Sequence, residues 1–143
     1  MAHIVVDHDF TSPRADVFAQ LAEHENLEAA LGAKITRVRD GTDGTRNGVG
    51  STRRLKAGPL PPFEETVTEI VPGELIRYRI SSRSLLTGHE GALLFSDLPG
   101  GGTHLHWEIT FGSRIPGLAT IGARGLRRSI PAALPALDAA ART

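Results

Sequence analysis

The first residues of the chain alternate between apolar and polar side chains. Ile4, Val6, His8 and Phe10 fall on one side of an extended segment, and the residues between them are mostly polar. A period of two is typical of a strand with one face in the protein core. We therefore predict a first strand whose inner face carries one histidine among apolar residues.

The segment after this strand has the start and stop signals of helices. Thr11 or Ser12 can cap a helix, and Pro13 suits its first turn because that position needs no hydrogen-bond donor. The helical pattern is interrupted near residues 24–26, and Gly32 ends the segment. The pattern predicts two short helices after the first strand.

From Lys34 onward, short strand-like runs are separated by residues that favour turns. Pro72-Gly73 and the run PGGG are such turn signals. They predict six strands joined as consecutive hairpins, which makes seven with the first strand. The predicted strands contain the runs KITRVRD, STRRLKAG, FEETVTEIV, ELIRYRISS, HEGALLFSDL and THLHWEITFG.

The tail from Arg114 has the period of an amphipathic helix, despite its prolines. The face predicted to be buried carries Ile115, Leu118, Gly122, Leu126, Ile130, Ala133 and Leu137. The opposite face, predicted to be exposed, carries Arg124, Arg128, Asp138 and Arg142. The order of elements predicts an α+β fold, in which a seven-stranded curved antiparallel sheet wraps around a long C-terminal helix. A cavity between that sheet and that helix is the natural functional element.

The formal net charge of the chain is zero, because it has 16 lysine and arginine residues and 16 aspartate and glutamate residues. No overall basic field attracts nucleic acid, so we expect no nucleic-acid partner. The absence of cysteine excludes disulfides, thiolate metal ligands and a cysteine nucleophile. No apolar run approaches the ~20 residues of a membrane span, and the first residues do not resemble a signal peptide. We expect one cytoplasmic domain over residues 1–143, without integral membrane contact.

The stretch GTHLHWEIT raises the question of a metal site, because His104, His106 and Glu108 alternate along it. Trp107 lies on the other face of this strand, together with further apolar residues, and that face must be the inner one. The two histidines and the glutamate therefore point to solvent, where few further ligands converge. We predict no metal site here. The Gly-rich runs lie in hairpins and do not lead into helices, so we predict no cofactor either.

The order and spacing of several short motifs resemble one family along nearly the whole chain. These motifs are Ser-Pro before a Val-Phe helix, Gly50-x-x-Arg53, Glu65-x-Val67, Tyr78 after Pro-Gly, and Gly102-Thr103-x-Leu105-x-Trp107. They resemble the polyketide cyclase/dehydrase and lipid-transport superfamily, also called START-like or SRPBCC. The resemblance implies a helix-grip fold with a pocket for a hydrophobic or aromatic small molecule. It does not imply one activity, because one fold hosts several functions.

Polar side chains on the inner face are the candidates for ligand binding. His8, Tyr78 and His89 share their faces with apolar residues, and Trp107 lies on the inner face of its strand. Arg53 and Glu65 join them by the resemblance and by their parity with neighbouring apolar residues. The candidate set is His8, Arg53, Glu65, Tyr78, His89 and Trp107, and no residue is assigned a catalytic role.

Arg53 and Glu65 leave two interpretations open. Buried charges are costly unless paired, so the two side chains can satisfy each other in a fixed internal network. Alternatively, Arg53 receives a carboxylate, enolate or phenolate of a ligand while Tyr78 or His89 orients it. His8 and His89, the two histidines on the predicted inner face, each have a pKa range suited to general acid–base work.

Three functions follow from these patterns. The first is binding or carriage of a hydrophobic small molecule, without turnover. The second is an aromatase/cyclase or dehydratase that acts on a polyketide-type substrate. The third is a protein-interaction module with a closed pocket, docking through Gly122, Gly125 and the cluster of Arg124, Arg127 and Arg128 on the last helix. A homodimer is compatible with each of them.

Overall fold

Seven strands form one antiparallel sheet in the computed structural model, which describes residues 1–143. Their order in the sheet is β1-β7-β6-β5-β4-β3-β2. Strands β2 to β7 therefore form the predicted meander of hairpins, and β1 pairs with the last strand. The strands are β1 (Ala2–Phe10), β2 (Lys34–Arg39), β3 (Thr52–Lys56), β4 (Phe63–Val71), β5 (Leu75–Ile80), β6 (Leu86–Asp97) and β7 (Thr103–Ser113).

Strand β7 shows why the sheet has one apolar face. Its register with β1 runs from Ala2 opposite Phe111 to Phe10 opposite Thr103. Trp107 is fully buried, and Thr103, Leu105, Ile109 and Phe111, which have the same parity in β7, are at most 2% exposed. The residues between them are only partly buried and lie on the outer face. The predicted inner and outer parity of this strand is confirmed.

Two short helices follow β1, as predicted. They are α1 (Arg14–Ala22) and α2 (Glu28–Leu31), and a 3₁₀ turn over His24–Leu27 separates them. Gly32 ends α2 in the left-handed conformation, with φ 62°. The expected cap was wrong, because Pro13 occupies the N-cap position of α1 without a side-chain hydrogen bond.

The hydroxyl groups expected to cap α1 bind the last helix instead. Thr11 and Ser12 donate hydrogen bonds from their Oγ atoms to Asp138, at 3.0 Å each. The backbone N–H of Thr11 donates to the same carboxylate. Asp138 is only 7% exposed, so its predicted place on the solvent face was wrong. Burial acts to raise the pKa of Asp138, but the hydrogen bonds outweigh it and the pKa is lowered.

The long helix α3 spans Leu118–Ala141 and completes the helix-grip architecture. It begins four residues later than the predicted start at Arg114. Pro116 disfavours a helical conformation at the residue before it, and Gly117 has a positive φ of 84°. The helix continues through Pro131 and Pro135, both of which lie on its exposed face. None of the helices combines the length and the hydropathy needed to cross a membrane.

Candidate functional site

A cavity lies between the curved sheet and the N-terminal half of α3. Its volume is about 130 Å³, and 11 of the 14 residues that line it are hydrophobic. An apolar cavity of roughly 150 Å³ accommodates a benzene ring, so this one has room for about one ring. The lining residues are Leu31, Leu55, Ala57, Leu60, Phe63, Glu65, Tyr78, Leu86, His89, Ile109, Phe111, Leu118, Gly122 and Leu126.

A buried ion pair lies at the polar wall of this cavity, which Glu65 lines and behind which Arg53 lies. Arg53 on β3 lies directly opposite Glu65 on β4 in the strand register. The Nε and Nη2 atoms of Arg53 donate to Oε1 of Glu65, at 2.9 and 2.6 Å. The side chains are 4% and 5% exposed. Of the two interpretations left open by the sequence, the structure has the one in which these charges satisfy each other.

His89 occupies an irregular part of β6, and this position fixes its tautomer. The pairing of β5 with β6 ends at Tyr78 opposite Gly91, so the backbone N–H of Ile80 finds no strand partner there. It donates to Nδ1 of His89 at 3.1 Å. Because Nδ1 accepts, the proton of the neutral ring lies on Nε2, which is 3.3 Å from Oε2 of Glu65. Burial holds the pKa of His89 below its ordinary value; the charge of Glu65 opposes this shift, and the charge of Arg53 adds to it.

Tyr78 is held in place on three sides. Its ring lies over Gly91, where an added Cβ would overlap the aromatic atoms. Its hydroxyl oxygen accepts a hydrogen bond from Nε1 of Trp107 at 3.0 Å. The guanidinium carbon of Arg53 lies 4.8 Å from the ring centroid, a cation–π arrangement. Burial, and to a lesser extent the charge of Glu65, raises the pKa of the Tyr78 hydroxyl.

The structure brings five of the six candidate residues together. Glu65, Tyr78 and His89 line the cavity. Arg53 and Trp107 lie behind them and contact Glu65 and Tyr78, respectively. The sixth candidate, His8, does not line the cavity; its ring packs edge-on against Phe10, with centroids 4.8 Å apart.

The apolar wall was predicted only in part. The periodic pattern of the last helix placed Leu118, Gly122 and Leu126 on the inner face, and all three line the cavity. Leu60 lies in the loop between β3 and β4, where no strand or helix period exists to indicate its direction. Leu31 ends a four-residue helix, which is too short to show a period.

A second buried histidine, which the sequence analysis missed, lies behind Arg53. Nε2 of His24 is 3.2 Å from Oγ of Ser51, and its Nδ1 has no hydrogen-bond partner. Burial lowers the pKa of His24 to about 3, with a further contribution from the charge of Arg53. This pair lacks a third group to orient the imidazole, and Ser51 is fully buried. It is therefore not arranged as an activated nucleophile.

The histidines on the outer face of β7 hydrogen-bond to carboxylates. His104 contacts Asp9 at 2.6 Å and Asp7 at 3.0 Å. His106 contacts Asp7 at 2.8 Å and Glu108 at 2.7 Å. Every ring nitrogen of the two histidines thus faces a carboxylate oxygen, and the side chains form a ladder that joins β1 to β7. Their predicted position on the solvent-facing side of the sheet is confirmed.

The chain is similar to one known protein family and to several solved structures. A family model described as "Polyketide cyclase / dehydrase and lipid transport" matches residues 1–142. No curated protein sequence matches the chain. The solved Zhui aromatase/cyclase from Streptomyces sp. R1128 is 17% identical, with a TM-score of 0.70 over 99% of this chain and 93% of that one.

Two other solved structures have the same fold. A START superfamily protein from Mycobacterium smegmatis is 12% identical, with a TM-score of 0.75 over 98% of this chain and 97% of that one. The Aha1 dimer from Colwellia psychrerythraea is also 12% identical, with a TM-score of 0.64 over 96% and 94%. At such low identities, these similarities are evidence for the fold only.

Proposed function

We propose that this chain, which belongs to the polyketide cyclase/dehydrase and lipid transport family, binds a small and largely apolar molecule in the cavity between its sheet and α3. The observation that carries the proposal is the cavity itself, with 11 hydrophobic residues among the 14 that line it. Pockets of this kind, mostly apolar with a few polar groups at one end, are typical ligand sites.

The volume of the cavity limits the size of the ligand. At about 130 Å³ it is smaller than the ~300–1,000 Å³ pockets that hold drug-sized ligands. A ligand of one ring, or of similar size, therefore fits without movement of α3. The existing space also favours binding over an interaction module with a closed pocket, since a closed pocket leaves no room for a ligand.

A cyclase or dehydratase remains the second candidate, and the polar wall favours it. Such chemistry needs at least two polar groups within reach of one ligand atom. Nε2 of His89 and Oε2 of Glu65 are 3.3 Å apart, so one ligand atom can contact both. The chemical test is turnover of a poly-β-ketone substrate. On this hypothesis, activity is lost in His89→Ala and in Arg53→Ala.

Calorimetric titration with toluene tests the binding proposal. We expect saturable binding to the native chain. Gly122 lines the cavity, and a Cβ added to it would lie 3.5 Å from the ring of Phe111, an ordinary contact. Gly122→Leu should therefore fold, fill part of the cavity and abolish toluene binding.

Gly125→Leu is the matched control for this experiment. Gly125 lies on the exposed side of the same helix, and an added Cβ would meet nothing within 4 Å. The variant Gly125→Leu introduces the same side chain into the same helix but away from the cavity, so toluene binding should persist. Equal toluene affinity in both variants would contradict the proposed site. A lack of binding to the native chain would contradict the proposed function.

A further inference from the structure

The cavity wall presents a negative charge and no positive one. Glu65, Tyr78 and His89 are the ionisable residues that line it, and no arginine or lysine does. Burial lowers the pKa of His89 and raises that of Tyr78, so both side chains stay neutral at physiological pH. The positive charge of the nearby ion pair belongs to Arg53, which lies outside the cavity lining. A ligand that enters the cavity therefore meets a carboxylate.

One oxygen of this carboxylate is available to a ligand. Oε1 of Glu65 accepts both hydrogen bonds from Arg53, at 2.9 and 2.6 Å. Oε2 has a single longer contact, 3.3 Å to Nε2 of His89. A carboxylate oxygen has two lone pairs, so Oε2 can accept a further hydrogen bond. The polar end of the cavity can thus accept a hydrogen bond from a hydroxyl or N–H group of a ligand.

We infer that the cavity selects neutral ligands that carry a hydroxyl or N–H donor, and that it rejects carboxylates of the same size. This inference rests on the proposed function and adds the chemical class of the ligand. A ligand hydroxyl donates to Oε2 of Glu65 in a charge-assisted hydrogen bond. A ligand carboxylate places a second negative charge beside Glu65, where little water is present to screen the repulsion. Arg53 relieves this repulsion only in part, because its guanidinium lies behind Glu65 and outside the cavity lining, farther from the ligand than the carboxylate is.

Three single-ring probes separate this inference from the proposed function. Toluene and phenol have the same number of heavy atoms and differ in one methyl or hydroxyl group, and benzoate adds the carboxylate. In calorimetric titrations of the native chain, phenol should bind at least as tightly as toluene. Benzoate should bind about a hundredfold more weakly than phenol. Toluene binding together with equally tight benzoate binding would overturn the inference and leave the proposed function intact. Failure of all three probes to bind would overturn both.

Two variants test whether Glu65 causes the selection. Glu65→Gln removes the negative charge and leaves that of Arg53 unneutralised, so benzoate affinity should rise on the order of tenfold or more while phenol affinity falls. Glu64→Gln is the matched control. Glu64 precedes Glu65 on β4, and its side chain pairs with Arg54 on the outer face of the sheet. In this control, the ratio of phenol to benzoate affinity should not change.

A double variant covers the case in which Glu65→Gln does not fold. Arg53→Met combined with Glu65→Met replaces the buried pair with apolar side chains, a change that proteins often tolerate. Toluene affinity should then stay within about twofold, and phenol affinity should fall on the order of tenfold. An unchanged ratio of phenol to toluene affinity in the double variant would overturn the inference.

Discussion

The buried pair of Arg53 and Glu65 makes a strong prediction about stability. Glu65→Met removes the acceptor of both hydrogen bonds from Arg53, whose side chain is only 4% exposed. The guanidinium then keeps only its contact with the face of Tyr78, at 4.8 Å. An uncompensated buried charge costs about 3–5 kcal/mol, so the free energy of unfolding should fall by about that amount. Replacing both members by methionine should restore it to within about 1 kcal/mol of the native value, because no buried charge remains unpaired.

Urea unfolding monitored by fluorescence measures these differences. The single tryptophan, Trp107, is fully buried and becomes exposed on unfolding. Glu64→Met is the control, because its partner Arg54 lies on the outer face with a side chain that is 57% exposed. Loss of that surface pair should cost less than about 1 kcal/mol. The reasoning is refuted if Glu65→Met costs no more than Glu64→Met, or if the double variant is as unstable as Glu65→Met.

Three further predictions concern other parts of the structure. Gly91→Ala should lower the melting temperature and disturb Tyr78, because the added Cβ would overlap the tyrosine ring; an unchanged melting temperature would contradict the close packing of Tyr78 on Gly91. Tyr78→Phe leaves Nε1–H of Trp107 buried without an acceptor, which should cost about 1–3 kcal/mol in urea unfolding, and a smaller loss would show that another group accepts this hydrogen bond. Hydrogen bonds to carboxylates raise the pKa of His104 and His106 above 6.5, so their stabilisation is complete below that pH and is lost as the pH rises through the raised pKa values. The native chain should therefore exceed the variant His104→Gln/His106→Gln in stability more at about pH 6 than at about pH 8.5, and an equal difference at both pH values would contradict this.

Periodic patterns in the sequence predicted most of the strands and helices of the fold. The alternation in β1 and β7 predicted their buried faces, and the regular stripe on the last helix predicted its inner side. The starts of helices were less predictable, because they depend on single residues such as Pro116 and Gly117. Asp138 has a polar side chain at a position where a helical pattern alone indicates solvent. Its burial depends on Thr11, which lies 127 residues away in the chain and was expected to cap α1.

The candidate site shows the same limit. Strand parity placed Glu65, Tyr78 and His89 on the inner face, and these three residues line the cavity. Parity does not tell how far along a strand the cavity extends, so His8 was included although its side chain packs elsewhere. Hydrogen bonds between distant strands decide the roles of the polar groups. The sequence alone could not show that Ile80 sets the tautomer of His89, because this depends on where the pairing of β5 and β6 ends.

The most direct test of the account is a crystal structure of the chain with 4-bromophenol, in which the anomalous signal of bromine locates the ligand. We predict a bromine peak inside the cavity, among apolar residues such as Leu118 and Leu126. The phenol oxygen should lie about 3 Å from Oε2 of Glu65. Bromine found only on the surface, or no ordered bromine at saturating ligand, would contradict the central claim that this cavity binds small apolar molecules.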